Sequence, residues 1–325
     1  MAEVLTGVNG NILKWAREFY NMSLEEAATA IGVDYEKYCS WEDGSDFPTY
    51  AKLRKVSDVF HKPSAIFFFP EPPILPPIKG DLRTLPEEVV DGLSKNVIIQ
   101  FEKAKAYQLS LRELYGDKQS VLSNRSDFPK GINELCDYIR NVMAFPIRSQ
   151  KGRKSAKVVF EIFREKFYEL GIYVFKDSFK DNNVSGLCLN DDQYPIIIIN
   201  NSMSFARQNF TLFHELYHLI SNTSGAEIIR DDFYEYLNDQ QTQSEKQCDV
   251  FANAFLVPID DFKVELEKSP IDEDRITDLA ILYSVSKEAI MYKLLTMKKI
   301  THKDYDRLKE TFYGDALRNI PKKGW

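Results

Sequence analysis

Two histidines four residues apart, His214 and His218, enclose a glutamate, Glu215, in an otherwise apolar stretch. Residues i and i+4 of a helix share one face, so both imidazoles can reach a single ion. The pattern His-Glu-x-x-His on a helix is typical of a metal site with a glutamate as general base. The chain has only four histidines, so the pattern seldom arises by chance. The alternative is a helix that uses both histidines for packing or hydrogen bonds.

A catalytic zinc ion needs three protein ligands and one open position. Glu245 and Asp249 follow downstream and are also four residues apart, so they share a helix face. One carboxylate can bind the metal while the other accepts a hydrogen bond from a ligand histidine. Two acidic residues at a helix start are also typical of a solvated first turn, where the helix dipole favours them. The spacing alone leaves both interpretations open.

The N-terminal residues predict a small helical bundle. Ser23 and Glu26 have the spacing of a capping box, and the helix that they open ends at Gly32. A second short helix is expected from Asp34 to Glu42, so the pair has the order of a helix-turn-helix.

Five prolines between positions 70 and 77 prevent regular helix, so we expect a domain boundary there. The prediction is an α+β chain in four segments: an all-α helix-turn-helix domain at 1–70, a proline-rich linker with a long helix at 71–125, a core of small sheet and histidine-bearing helix at 126–260, and C-terminal, helix-turn-helix-like helices at 261–325.

No apolar run approaches the roughly 20 residues that span a bilayer. The N-terminus lacks a signal-peptide core, so we expect a cytoplasmic protein without a membrane partner. The four cysteines are widely spaced and are expected to be small buried residues.

Both chemical motifs resemble those of the ImmA/IrrE family of metallopeptidases. The resemblance lies in Arg207-Gln-Asn-Phe-Thr-Leu-Phe-His-Glu-Leu-Tyr-His218 and in Glu245-Lys-Gln-Cys-Asp-Val-Phe-Ala-Asn-Ala-Phe-Leu-Val-Pro258. Cys248 stands where the family usually has Ala, Asp249 where it has Asn, and Phe255 where it has Leu. The resemblance covers about residues 130–300 and implies a zincin-like fold.

The family resemblance also implies roles for individual residues. His214, His218 and Glu245 would bind zinc, with manganese as the alternative metal, and Glu215 would be catalytic. Asp249, which departs from the family, instead gives the Glu-x-x-x-Asp pattern of thermolysin-like enzymes, which suits a residue that accepts a hydrogen bond from a ligand histidine. The implied function is a regulatory endopeptidase that cleaves a repressor-like or antitoxin-like protein in a stress or mobile-element response, and the expected substrate is a helix-turn-helix repressor.

Two other classes of function stay open at this point. One is a non-enzymatic helix-turn-helix transcription regulator whose peptidase fold senses metal or a partner. The other is an interaction protein of the toxin–antitoxin type. The sequence does not decide whether the chain forms a dimer.

Three residues are candidates for substrate binding. Ile198 and Asn200 belong to an apolar strand just before the histidine-bearing helix, which could pair with an extended substrate. A buried central strand is the competing interpretation. Arg207 is a candidate donor to the oxyanion of the transition state.

The N-terminal segment resembles an XRE-type helix-turn-helix domain, in which Lys37 and Tyr38 would contact DNA. Residues 1–70 hold 7 lysines and arginines and 10 aspartates and glutamates, a net charge of −3. Such a charge repels phosphates, so DNA binding competes with a protein-docking or dimerising role.

Overall fold

The computed structural model describes residues 3–73, 87–228 and 237–318. These residues form two units, the first of 3–73 with 87–102 and the second of 103–228 with 237–318. The proline-rich stretch from position 74 onward lies outside the described residues. The division between the units falls at Glu102, and not at residue 70 as the sequence suggested.

The first unit is all-helical, as expected. Its elements are α1 Gly10–Phe19, α2 Leu24–Ile31, α3 Tyr35–Glu42, α4 Tyr50–Val59, a 3-10 turn Ser64–Phe68, α5 Glu87–Asp91 and the start of α6 Lys95–Tyr115. The Ser23 hydroxyl accepts from the Glu26 N–H and the Glu26 carboxylate accepts from the Ser23 N–H, so the capping box forms. Gly32 ends α2 in the left-handed conformation, with a φ of 72° that favours glycine. Together α2 and α3 have the predicted helix-turn-helix order.

Residues 87–102 belong to the first unit because they share its core and its polar contacts. Val97 and Phe101 are fully buried. The Glu102 carboxylate accepts hydrogen bonds from the Tyr20 hydroxyl and the Lys62 ammonium. The segment that we expected to be one linker and helix is therefore divided within α6.

The second unit is mixed α+β, which confirms the predicted fold class. In chain order it contains a 3-10 turn Val121–Asp127, α7 Ile132–Val142, α8 Ile147–Gln150, α9 Ala156–Glu169, β1 Tyr173–Asp177, β2 Val184–Leu189, β3 Ile196–Asn200, α10 Phe205–Ile220, β4 Gly225–Ile228, α11 Asp239–Leu256, α12 Ile259–Leu266, α13 Glu273–Tyr283, α14 Lys287–Thr296 and α15 His302–Arg318. The strand β4 was not expected, since it lies in a polar stretch that reads as a loop.

The four strands form one sheet in the order β1-β3-β2-β4. The β3 strand pairs in parallel with β1 on one side and antiparallel with β2 on the other. All its residues are buried, which is the reason for its unbroken apolar run. Ile198 and Asn200 thus lie in a central strand with both edges paired, so the expectation that they bind a substrate strand is not met. The Asn200 amide instead donates to the carbonyls of Asp181 and Val184.

The helix α10 carries the histidines and packs between the sheet and α11. Phe213 of α10 stacks on Phe255 of α11, with ring centroids 4.0 Å apart. The same hydrophobic core contains Leu279, Ile290 and Leu308 of the C-terminal helices. Residues 261–318 are therefore part of this unit and not a separate segment. No helix within the described ranges is long and apolar enough to cross a bilayer.

Glu265 of α12 is a buried carboxylate that three cations surround. It accepts from Lys151 Nζ at 2.6 Å and from Lys268 Nζ at 2.9 Å, and Arg275 lies at 3.4 Å. Burial alone would raise the pKa of Glu265, but the hydrogen bonds from Lys151 and Lys268 lower it to about 2. A lowered folded-state pKa means that the stabilisation is present above the unfolded-state pKa and is lost as the pH falls.

Replacement of Glu265 by Gln should lower the free energy of unfolding at neutral pH by about 1–3 kcal/mol, because it removes the charge from buried hydrogen bonds. The difference from wild type should shrink between about pH 4.3 and pH 2. Urea unfolding across this pH range measures both effects. Asp260→Asn is the matched control, since Asp260 lies on the same helix with a side chain 90% exposed. Equal losses in the two variants would contradict the assignment.

Candidate metal centre

Three ligand side chains meet between α10 and α11. The Nε2 atoms of His214 and His218 are 3.3 Å apart. Glu245 Oε2 lies 3.2 Å from His214 Nε2, and Glu245 Oε1 lies 3.4 Å from His218 Nε2. All three side chains are at most 5% exposed. The two helices therefore close a small triangle of nitrogen and oxygen donors.

The size of this triangle fits a tetrahedral zinc ion. Bonds of about 2.0–2.1 Å in a tetrahedron place neighbouring ligand atoms about 3.3–3.4 Å apart. The two Nε2 atoms are separated by such an edge, 3.3 Å, and each lies 3.2–3.4 Å from a different oxygen of the Glu245 carboxylate. Two imidazoles and one carboxylate are also a ligand set that zinc uses in catalytic sites.

Partners of the outer ring nitrogens orient both histidines. His214 Nδ1 lies 3.0 Å from Asp249 Oδ1, the pairing expected from the sequence. His218 Nδ1 lies 3.1 Å from the Thr223 hydroxyl, which donates its own proton to the His218 carbonyl at 2.9 Å. Thr223 must therefore accept from Nδ1–H, which leaves the Nε2 lone pair of His218 for a metal. Sequence reasoning missed Thr223, because its contact depends on the turn after α10.

Glu215 lies beside the triangle and is fully buried. Its Oε1 accepts a hydrogen bond from the Glu227 backbone N–H at 2.9 Å. Its Oε2 finds no donor of good geometry among the described residues. A buried carboxylate oxygen without a donor is costly, so its natural partner is a water molecule or a substrate group. Burial raises the pKa of Glu215, against the opposing charges of His218 and His214.

Burial and nearby charges shift the pKa values of His214, His218 and Glu245 in opposite directions. Burial would raise the pKa of Glu245, but hydrogen bonds from His214 and His218 hold it well below its usual range. Burial would lower the pKa values of both histidines, yet the nearby carboxylates and the Cys248 sulfur raise them. The site is thus built to stabilise positive charge at its centre.

A second carboxylate, Glu227 of β4, lies near the outer ring nitrogen of His214. Its Oε1 lies 4.0 Å from His214 Nδ1, and it accepts hydrogen bonds from Ser185 and Arg207. The structure therefore brings Arg207 near the site, but with its guanidinium paired to Glu227. Sequence reasoning missed Glu227 because no local pattern indicates that a strand returns there.

Gly225, at the start of β4, lies flat against the His218 ring. A Cβ atom built there would lie 3.2 Å from His218 Nε2. This contact is tighter than ordinary packing, so a larger residue would press on a ligand. The close approach explains why a glycine occupies this position.

Cys248 is also near the ligand cluster. Its sulfur and one ring nitrogen from each of His214 and His218 all lie within 4.8 Å of one another. His214 also forms a second acidic cluster, with Glu227 and Asp249. Both clusters share His214, so the donors converge on one region of the unit.

The two residues expected to contact DNA, Lys37 and Tyr38, are buried or paired with another side chain. Tyr38 is fully buried in the first unit, so it cannot reach a phosphate or a base. Lys37 is half-exposed, but its ammonium pairs with Asp46. The prediction for Tyr38 is wrong because α3 turns that side chain into the core.

Comparison with known proteins supports the interpretation of the second unit. Residues 168–295 match the family model Peptidase_M78, described as the IrrE N-terminal-like domain. No curated protein is similar enough to match the chain. Among solved structures, a Mycobacterium tuberculosis transcriptional regulator is 12% identical with a TM-score of 0.35, and the match covers 54% of this chain. That match spans about half of the regulator, 49% of its length.

The matched range contains both motifs on which the sequence resemblance depends. It includes the helix with His214, Glu215 and His218 and the helix with Glu245. Residues 168–295 are therefore similar to the IrrE N-terminal-like domain that the Peptidase_M78 family model describes.

Proposed function

We propose that this protein is a zinc-dependent endopeptidase with Glu215 as its general base. The observation that carries the proposal is the cluster of His214, His218 and Glu245, with separations of 3.2–3.4 Å, beside a buried Glu215 oxygen that has no donor of good geometry among the described residues. A solely structural role for the histidines would not require a carboxylate oxygen to be left without a partner.

The chemistry divides between the metal and the protein. A zinc ion in this triangle would supply Lewis acidity, which polarises a peptide carbonyl and makes water more acidic. Glu215 accepts the proton of the attacking water at Oε2 and delivers it to the leaving amine. The Glu227 N–H holds Oε1, so the carboxylate keeps its orientation while Oε2 exchanges the proton.

The position of β4 favours it as the substrate-binding strand. Within the described residues β4 pairs only with β2, so its other edge is not paired there. Gly225 and Glu227 of the same strand contact His218 and Glu215. An extended peptide added along this edge would pass beside the metal, by β-strand addition. Arg207, held by Glu227, remains a candidate donor to the oxyanion.

The substrate that we propose is a small helix-turn-helix repressor or an antitoxin-like protein. This choice follows from the family resemblance of both motifs. The first unit would then dock a protein partner, since its α3 offers a paired Lys37 and a buried Tyr38. The alternative is a regulator that binds DNA and does not cleave protein.

Replacement of Glu245 by Ala should strongly reduce the retention of zinc, because it removes the carboxylate ligand of the site. Asp249→Asn should keep the metal but weaken its affinity by about 10- to 100-fold, because Asp249 only orients His214. Metal content per chain after dialysis against a chelator measures the difference. Equal zinc content in Glu245→Ala and wild type would refute the ligand assignment.

The Glu215→Gln variant should keep its metal and fold but lose cleavage by about 10²–10⁴-fold, because an amide cannot accept the water proton. Cleavage of a purified helix-turn-helix repressor, followed by mass spectrometry, measures the loss. The metal content and circular dichroism of the variant serve as controls. A near wild-type rate would show that this motif is not the active site.

Binding of the full chain to duplex DNA should be weak and should disappear on raising the salt to physiological strength, because the first unit is acidic. Fluorescence anisotropy with labelled DNA of random sequence measures this. Lys37→Ala should change the affinity little, since Asp46 already neutralises that charge. Tight, sequence-dependent binding at physiological salt would instead favour the regulator alternative.

A further inference from the structure

Cys248 lies beside the two histidines of the candidate metal site. It is fully buried on α11, one turn after Glu245, so both side chains project towards α10. Its sulfur lies within 4.8 Å of a ring nitrogen of each ligand histidine. Among the described residues, the hydrophobic core of this unit includes Cys136 and Cys188 but not Cys248.

We propose that Cys248 is a fourth zinc ligand that closes the site in a resting state. The inference rests on the proposed metal site, and it adds a means of regulation to it. Three ligands leave zinc with one open position, whereas four protein ligands make the closed arrangement of a structural site. A thiolate from Cys248 would occupy the position that the attacking water needs. The thiol proton is released to solvent when the metal binds.

A small movement of the Cys248 side chain would bring its sulfur to the distance that a shared zinc ion requires. Tetrahedral zinc with a sulfur bond of about 2.3 Å places sulfur about 3.5 Å from each ligand nitrogen. The Cys248 sulfur lies no more than 4.8 Å from these nitrogens, so it would have to move by little more than an ångström to reach this distance. No movement of α11 is required, because Glu245 on the same helix is already in place.

The closed site has a direct consequence for catalysis. With zinc bound, the Cys248 thiolate would hold the position that water or a substrate carbonyl needs, so it would have to leave before Glu215 could act. The resting enzyme is then latent, and any event that removes the thiolate activates it. Cys136 provides the contrast, because its sulfur lies against the Phe251 carbonyl at 3.9 Å, within the core.

The test loads wild type, Cys248→Ala, Cys248→Ser and Cys136→Ala with Co²⁺ in place of zinc. Wild type and Cys136→Ala should show a sulfur-to-cobalt charge-transfer band in the near ultraviolet, and both Cys248 variants should lack it. All four should keep the visible bands of tetrahedral cobalt. The Cys248 variants should bind zinc about 10- to 100-fold more weakly, by competition with a chelator.

The outcomes separate this inference from the proposed function. Visible cobalt bands in wild type without the sulfur band would overturn the role of Cys248 while the His–His–Glu site stands. Failure of wild type to bind cobalt at all would overturn both. Retention of the sulfur band in Cys248→Ser would show that another cysteine supplies it and would also overturn the assignment.

Discussion

The contact between α10 and α11 is the interaction on which the candidate site depends. Stacking of Phe213 on Phe255 fixes the distance between the helices on their apolar side. On the polar side the same packing brings Glu245 to 3.2 Å and 3.4 Å from the two histidines. Buried ionisable groups are expensive unless they are paired or bind a metal. The hydrophobic core therefore provides the free energy that holds three metal-seeking groups together.

The sheet provides further contacts to Glu215 and His218 through its strand β4. The strand β4 returns beside α10, where its Glu227 N–H holds Glu215 and its Gly225 makes room for the His218 ring. Glu227 pairs with Arg207, so its own charge is balanced. The hydrogen-bond partners of Glu215, His214 and His218 thus lie on three different elements, β4, α11 and the turn after α10.

The parts of the site that sequence could predict are those with local periodicity. His214, His218 and Glu215 share a helix face, and that spacing is visible in the sequence. Glu227 and Thr223 could not be found this way, because strand pairing and the turn after α10 are tertiary features. The run Ile196–Ile199 did carry a usable signal. Four consecutive apolar residues favour a strand buried on both faces, which is typical of the interior of a sheet and not of its edge.

The sequence predicts the fold class correctly, but it does not predict where the boundary between the two units lies. The capping box at Ser23 and the glycine stop at Gly32 are local signals, and both form as expected. The boundary near residue 102 was missed because burial of Val97 and Phe101 in the first unit depends on long-range packing. A proline-rich stretch indicates where helix is disfavoured, but not which core the following helix joins.

The central claim is that the ligands form a metal site without rearrangement of the helices. Anomalous diffraction from crystals of the zinc-loaded protein tests it most directly. The account predicts one strong peak inside the triangle, about 2.0–2.2 Å from His214 Nε2, His218 Nε2 and one Glu245 oxygen, with α10 and α11 in their present packing. A peak elsewhere, or a shift of the two helices apart on binding, would contradict it.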